Sequence, residues 1–131
     1  MIKWTKEMLE SEGYVIENAK IESVDLSMAD HGCLCLELHL HGEGWGCCYG
    51  GYVLGHGYVG ADDDFFRGST QGTESIMRIM DVVGCSRFNQ MAGKYVRVAT
   101  KGTGSSIIKI IGNIIEDHWF DAGSFYNAEK D

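Results

Sequence analysis

Residues 41–57, HGEGWGCCYGGYVLGHG, concentrate reactive side chains and bare backbone in one short stretch. Seven glycines, two adjacent cysteines, two histidines and three aromatic rings fall within it. Thiolate and imidazole ligate transition metals, so a metal site is the first chemistry to weigh. Upstream, residues 33–41 alternate strictly. Cys33, Cys35, Glu37, His39 and His41 share one face, and Leu34, Leu36, Leu38 and Leu40 share the other. With a hairpin loop centred on Glu43, His39 faces Cys47 and His41 faces Trp45, each pair with Cβ atoms ~4.5–5.5 Å apart. His39, Cys47 and Cys35 are then the candidate ligands. Against them, the chain has no CxxC and no HxxxH spacing. Residues two apart on a strand are also ~6.6–6.8 Å apart, so Cys33 and His41 cannot share an ion. No metal and no other cofactor is therefore expected, and the plainer reading is a hairpin face packed on something else.

A phosphate loop fares no better by motif. Neither GxGxxG in a βαβ setting nor GxxxxGK[ST] is present. The turn TKGTGSS, residues 100–106, does offer Lys101, Thr103 and Ser105 beside glycines whose N–H groups could cradle an anion. Arg97, on the preceding strand, is the next basic side chain. The same letters also make an ordinary hairpin turn. Nucleophilic catalysis needs a nucleophile, a base and an orienting group together. Cys47, Cys48, His31 and His56 supply the types without a signature, and carboxylates such as Glu37 and Asp117 are ordinary on an acidic surface. No catalytic residue is assigned, and the expectation is a binding protein and not an enzyme.

The aromatics say more. Trp45, Tyr49, Tyr52 and Tyr58 sit among Gly46, Gly50 and Gly51, and flat rings beside bare backbone make a wall for a planar ligand or a partner. Trp119, Phe120, Phe125 and Tyr126 cluster near the end. The predicted ligand-binding set is Trp45, Tyr49, Gly50, Gly51, Tyr52, Arg97, Lys101, Thr103 and Ser105. Core packing is the competing explanation for these rings, and for half of them the better one.

These residues need elements to hold them. MIKWTKEMLESEG reads as a short helix with Thr5 as its N-cap. Residues 14–28 form a strand, and Ile21 and Val24 fall on opposite faces unless a bulge intervenes near Ser23. ADHG turns the chain, 33–41 is the clearest strand, GEG at 42–44 is a hairpin loop, and 45–54 returns as a strand weakened by glycine. GHGYVGADDD is an exposed loop whose Asp62, Asp63 and Asp64 are solvated. From Ser69 the period becomes helical, with Ile76, Ile79, Met80 and Val83 on one stripe and Gly84 as the stop. Residues 94–100 form a strand with Val96 and Val98 inward. Residues 107–117 are its partner, buried on both faces or bulged at Gly112. WFDAGSFY closes the chain as a turn or helix. The fold class is α+β in a single domain over 1–131. A mostly antiparallel sheet built from hairpins is packed by one main helix, about 69–84, and a short N-terminal helix.

Composition bounds the partners. The 131 residues can bury a real core, with 44% hydrophobic and 23% charged residues. Five cysteines at irregular spacing are not a disulfide framework and read as reduced, mostly buried thiols. The formal net charge of −8 disfavours non-specific nucleic-acid binding. It suits solubility, or the covering of a basic partner. Proline is absent, so glycine must make the turns. No apolar run approaches a membrane helix and the N-terminus lacks a signal-peptide pattern, so a cytoplasmic protein is expected.

The segments IENAKIESVDLSMADHGCLCLELHL, GWGCCYGGYVLGHG, MRIMDVVG, KYVRVATKG and IIGNIIEDHWFD together resemble a family of short uncharacterised phage and prophage accessory proteins. The likeness covers roughly residues 14–126 and is one of whole-chain pattern, with no functional residue to carry over. It implies a setting in the bacterial host cytoplasm and a counter-defence role. The expected function is sequestering a nucleotide-derived immune signal. One alternative is an anti-CRISPR-type inhibitor acting on a host defence protein through its acidic surface. Others are a small metal-binding protein and an oligomer-forming module.

Overall fold

The structure, a computed structural model, describes residues 1–30, 32–57, 66–101 and 108–128. Thr5 caps α1 (Lys6–Ser11) through its side chain, which accepts a hydrogen bond from Met8 N at 3.1 Å. The strands are β1 (Val15–Asp30), β2 (Cys33–Gly42), β3 (Trp45–His56), β4 (Arg67–Gly68), β5 (Tyr95–Thr100), β6 (Ile110–Asn113) and β7 (Trp119–Asp121). Helix α2 (Thr70–Val83) follows β4, and α3 (Ala122–Ala128) follows β7. All pairings are antiparallel, in the order β4-β3-β2-β1-β5-β6-β7, and the sheet curls into a half-barrel. This is the α+β class that the alternation and the single helical stripe predict.

β1 is the spine. Its first part, Val15–Lys20, pairs with β5, and the rest, from Lys20 on, pairs with β2. The register slips between Ile21 and Ser23, where the sequence requires a bulge, and this brings Ile21 and Val24 to the same core. Leu36, Leu38 and Leu40 of β2, Val96 and Val98 of β5 and Ile111 of β6 meet Ile79, Val82 and Val83 of α2 in that core. Ser69 caps α2 by accepting from Gly72 N at 2.9 Å, and Gly84 ends it. Gly72 does more than tolerate a first turn. A Cβ there would press on the Leu54 backbone, so this glycine lets α2 lie against β3.

Behind the β5–β7 half lies a second cluster. Leu9 of α1 packs with Ala99, Ile110 and Trp119, flanked by Trp4, Tyr14 and Ile16. Neighbouring residues such as Val98 and Ala99 therefore go into different cores. This explains the nearly unbroken apolar run at 107–117, though not its length. β6 is only four residues long. Asn113 ends it, its Oδ1 accepting from Ile115 N and Glu116 N at 2.9 and 2.8 Å. Ile115 is left 81% exposed. Gly112 is no bulge, because the β5–β6 register runs through it unbroken; a Cβ there would run into the Trp119 ring. Trp119–Asp121, expected as a turn or helix, is the last strand. β4 carries too little pattern to be read from sequence. Among the described residues no helix is long and apolar enough to cross a membrane.

Candidate functional site

The β2–β3 hairpin turns on two residues, Glu43 and Gly44, with Gly42 opposite Trp45. The loop expected over 42–44 is one residue shorter than predicted, and every facing pair moves accordingly. His39 faces Cys48, while Cys47 faces Leu40 and packs against the core. Burial first, and then the Glu37 carboxylate, pushes the Cys48 thiol up. No disulfide joins the cysteines, but only Cys35 is buried, and Cys48 is exposed. The expectation of mostly buried thiols holds only in part: Cys33, Cys47 and Cys85 are half-buried, the last two against the main core.

β3 carries two register irregularities against β2, between Cys35 and Glu37 and between Leu34 and Cys35. Gly50 (φ +117°) and Gly51 (φ +76°) form the first. A Cβ on Gly50 would collide with the Leu36 carbonyl, so the space above its backbone is filled by the neighbouring strand. No described atom lies within 4 Å of a Cβ built on Gly51, and one on Gly46 would make only an ordinary 3.5 Å contact. The extra residue has a second effect. Tyr49 and Tyr52, three apart, would point to opposite faces of a regular strand, yet Tyr49 lies in the main core and Tyr52, half-buried, packs against it.

The predicted aromatic wall thus divides. Tyr49 is wholly buried, its hydroxyl 3.4 Å from the Lys109 carbonyl, and burial pushes its phenol well up. It is a core residue, closed to a ligand. Trp45 lies across Gly42, half-buried, its indole N–H without a hydrogen-bond partner among the described residues. Arg97 is also committed elsewhere. It donates to the Asn113 and Glu116 carbonyls, both at 2.8 Å, and its guanidinium stacks 4.7 Å from the Trp119 ring centre. Those bonds hold the β6–β7 turn, and Arg97 lines a cleft with Lys6 and Glu10 that is separate from those over α3. Thr103, Ser105, His31, Tyr58 and Asp62–Asp64 lie outside the described residues.

Tyr52 and Lys101 do reach open space, at two adjoining clefts over α3. The first, about 360 Å³, is walled by Tyr52 and Tyr126, stacked at 4.5 Å and 11°. Tyr126 is fixed by its hydroxyl donating to Ser75 Oγ at 2.8 Å and by Gln71 donating to its carbonyl at 3.3 Å. The second, about 490 Å³, is lined by Tyr14, Lys101, Asp121 and Ser124. Lys109, Gly123 and Asn127 line both clefts. A Cβ on Gly123 would sit 3.0 Å from the Lys109 stem, so the glycine lets that lysine lie across the ridge. Lys101 Nζ stands 4.9 Å from the Tyr14 ring centre. Asp121 is buried and engaged, accepting from Trp4 Nε1 at 3.0 Å and Ser124 N at 3.1 Å.

Against known proteins, the chain matches no family model, and no curated protein or solved structure is significantly similar to it. The site must therefore be read from its own chemistry. Burial first, then Asp121, raises the phenols of both Tyr14 and Tyr52. Near neutral pH they are uncharged donors, beside two ammonium groups and the Asn127 and Gln71 amides. Sequence reasoning missed Lys109, Tyr14 and Asn127 as lining residues, and named Tyr126 only within the C-terminal aromatic cluster, outside the predicted ligand-binding set. The one available signal was Lys109, a lone charge within the apolar run IIKIIGNII.

Proposed function

We propose that the protein is a non-catalytic binder taking a nucleotide-like ligand into the paired cleft over α3. The observation that carries this reading is the placement of Lys101 and Lys109 at one cleft, between the Tyr14 ring and the Tyr52–Tyr126 stack. Lysines supply point charges for phosphate, and tyrosine faces accept a base. Clefts of about 490 and 360 Å³ fall in the range of small-molecule sites. In the phage setting that the sequence pattern implies, such a protein sequesters a nucleotide-derived immune signal in the host cytoplasm.

Thermal unfolding with a panel of linear and cyclic nucleotides tests this. A ligand at 100 times its Kd adds about 2.7 kcal/mol of stability, a rise of about 10 °C for a domain of this size. Lys109→Met, which keeps the stem over Gly123 and removes the charge, should lower the affinity at least tenfold. Equal shifts from the nucleoside and its nucleotide would remove phosphate recognition. No shift with any nucleotide, together with a stable complex with a host defence protein, would replace this reading with the acidic-surface inhibitor.

A further inference from the structure

We propose that Glu37, His39 and Cys48 form a site for a borderline divalent metal of the zinc class, on the outer face of the β2–β3 ribbon. The two-residue turn creates it. That turn sets His39 opposite Cys48, and Glu37, two residues before His39, lies on the same face. One donor atom from each residue lies within 4.8 Å of the other two, and Cys48 Sγ is 3.2 Å from His39 Nδ1. Ligands about 2.0–2.3 Å from a tetrahedral ion stand about 3.3–3.6 Å from one another. The sulfur–nitrogen edge is therefore nearly set, and the carboxylate closes by side-chain rotation.

The donors choose the ion. Calcium and magnesium want oxygen ligands only. One sulfur, one imidazole nitrogen and one carboxylate oxygen suit zinc and its neighbours. Binding breaks the Cys48 Sγ–H bond and forms an Sγ–metal bond; the proton leaves to solvent and no oxidation state changes. Thiolate and carboxylate then balance the dication. Cys48 is exposed, so the fourth position opens to water. A second cysteine–histidine pair on this ribbon, Cys33 with His56 at 3.7 Å, gains no third donor among the described residues and serves as an internal control. The site shares no residue with the clefts over α3.

The full chain, purified without a histidine tag and stripped of metal, is titrated with cobalt. A thiolate-to-cobalt charge-transfer band should saturate at one equivalent and disappear when zinc is added. Cys48→Ser should abolish the band, Glu37→Gln should weaken binding at least tenfold, and Cys33→Ser should leave it unchanged. Zinc should raise the melting temperature of the parent protein and not that of Cys48→Ser. Absence of the band, its survival in Cys48→Ser, or its loss in Cys33→Ser overturns the assignment.

Discussion

Substituting alanine at Gly46, Gly50 and Gly51, one at a time, separates the reasons for three glycines in one strand. At Gly50 the φ of +117° is a conformation L side chains rarely adopt, and the new methyl meets the Leu36 carbonyl. A left-handed backbone costs about 1–2 kcal/mol, and relieving an overpacked contact about 1–3 kcal/mol. Their total, about 2–5 kcal/mol, is a large part of the 5–15 kcal/mol typical of a domain. At about 3–4 °C per kcal/mol for this length, the melting temperature of Gly50→Ala should fall by about 7–18 °C. Gly51→Ala carries only the backbone cost, about 1–2 kcal/mol and about 4–7 °C. Gly46→Ala has neither problem and should stay within about 0.5 kcal/mol of the parent. Thermal and urea unfolding read all three. A Gly50→Ala protein melting within about 3 °C of Gly46→Ala would refute the bulge as the reason for that glycine and return it to the surface of a binding site.

Asp117 accepts from the Trp119 indole at 2.6 Å and from Lys6 N at 2.7 Å, and these bonds, the indole first, hold its carboxyl below the usual range. A depressed carboxyl contributes stability that is fully present above its unfolded value, about 3.9, and is lost as pH falls through the folded value. Asp117→Asn should therefore be less stable at pH 7 by under about 1 kcal/mol, the group being exposed. That gap should close as the pH is taken below 4 in a thermal titration; a gap that widened in acid would reverse the sign. Ser69→Ala removes the cap of α2 and should cost about 0.5–2 kcal/mol by urea unfolding. Gly112→Ala drives a methyl into the Trp119 ring and should cost about 1–3 kcal/mol, with a change in tryptophan fluorescence to report the displaced ring.

Alternation and capping made most elements readable. The Leu34–Leu40 row, the Ile76–Val83 stripe, Thr5 and Gly84 each carry a local signal whose physics acts within a few residues. The candidate sites depend on longer-range facts. GEG admits a loop of two or three residues, and that single residue decides whether Cys47 or Cys48 meets His39, because a slip by one flips a strand's faces. Nothing in YGGY states that the β2 backbone fills the space above Gly50. The breadth of the apolar run at 107–117 hides the point at which Asn113 stops it, since both faces of β6 are covered. Lys109 and Tyr126 become neighbours only when α3 folds across the end of the sheet.

The shared strand β1 also sets an order of assembly. Its pairing with β2 and the pairing of β2 with β3 join segments that follow one another directly, through short turns. Its pairing with β5 joins Val15 to Thr100 and must close most of the chain as a loop. Closure entropy rises with loop length, and contacts distant in sequence form late. We expect the β1–β3 meander to gain protection first in pulse-labelled hydrogen exchange. Protection of β5 to β7 first would contradict this. The smaller cleft over α3, built from β3 on one side and Lys109 and α3 on the other, and the larger, built from Tyr14 at the start of β1 and from β5 to α3, then exist only after the last seam has closed. A chain caught before that step holds a complete β2–β3 ribbon and no cleft.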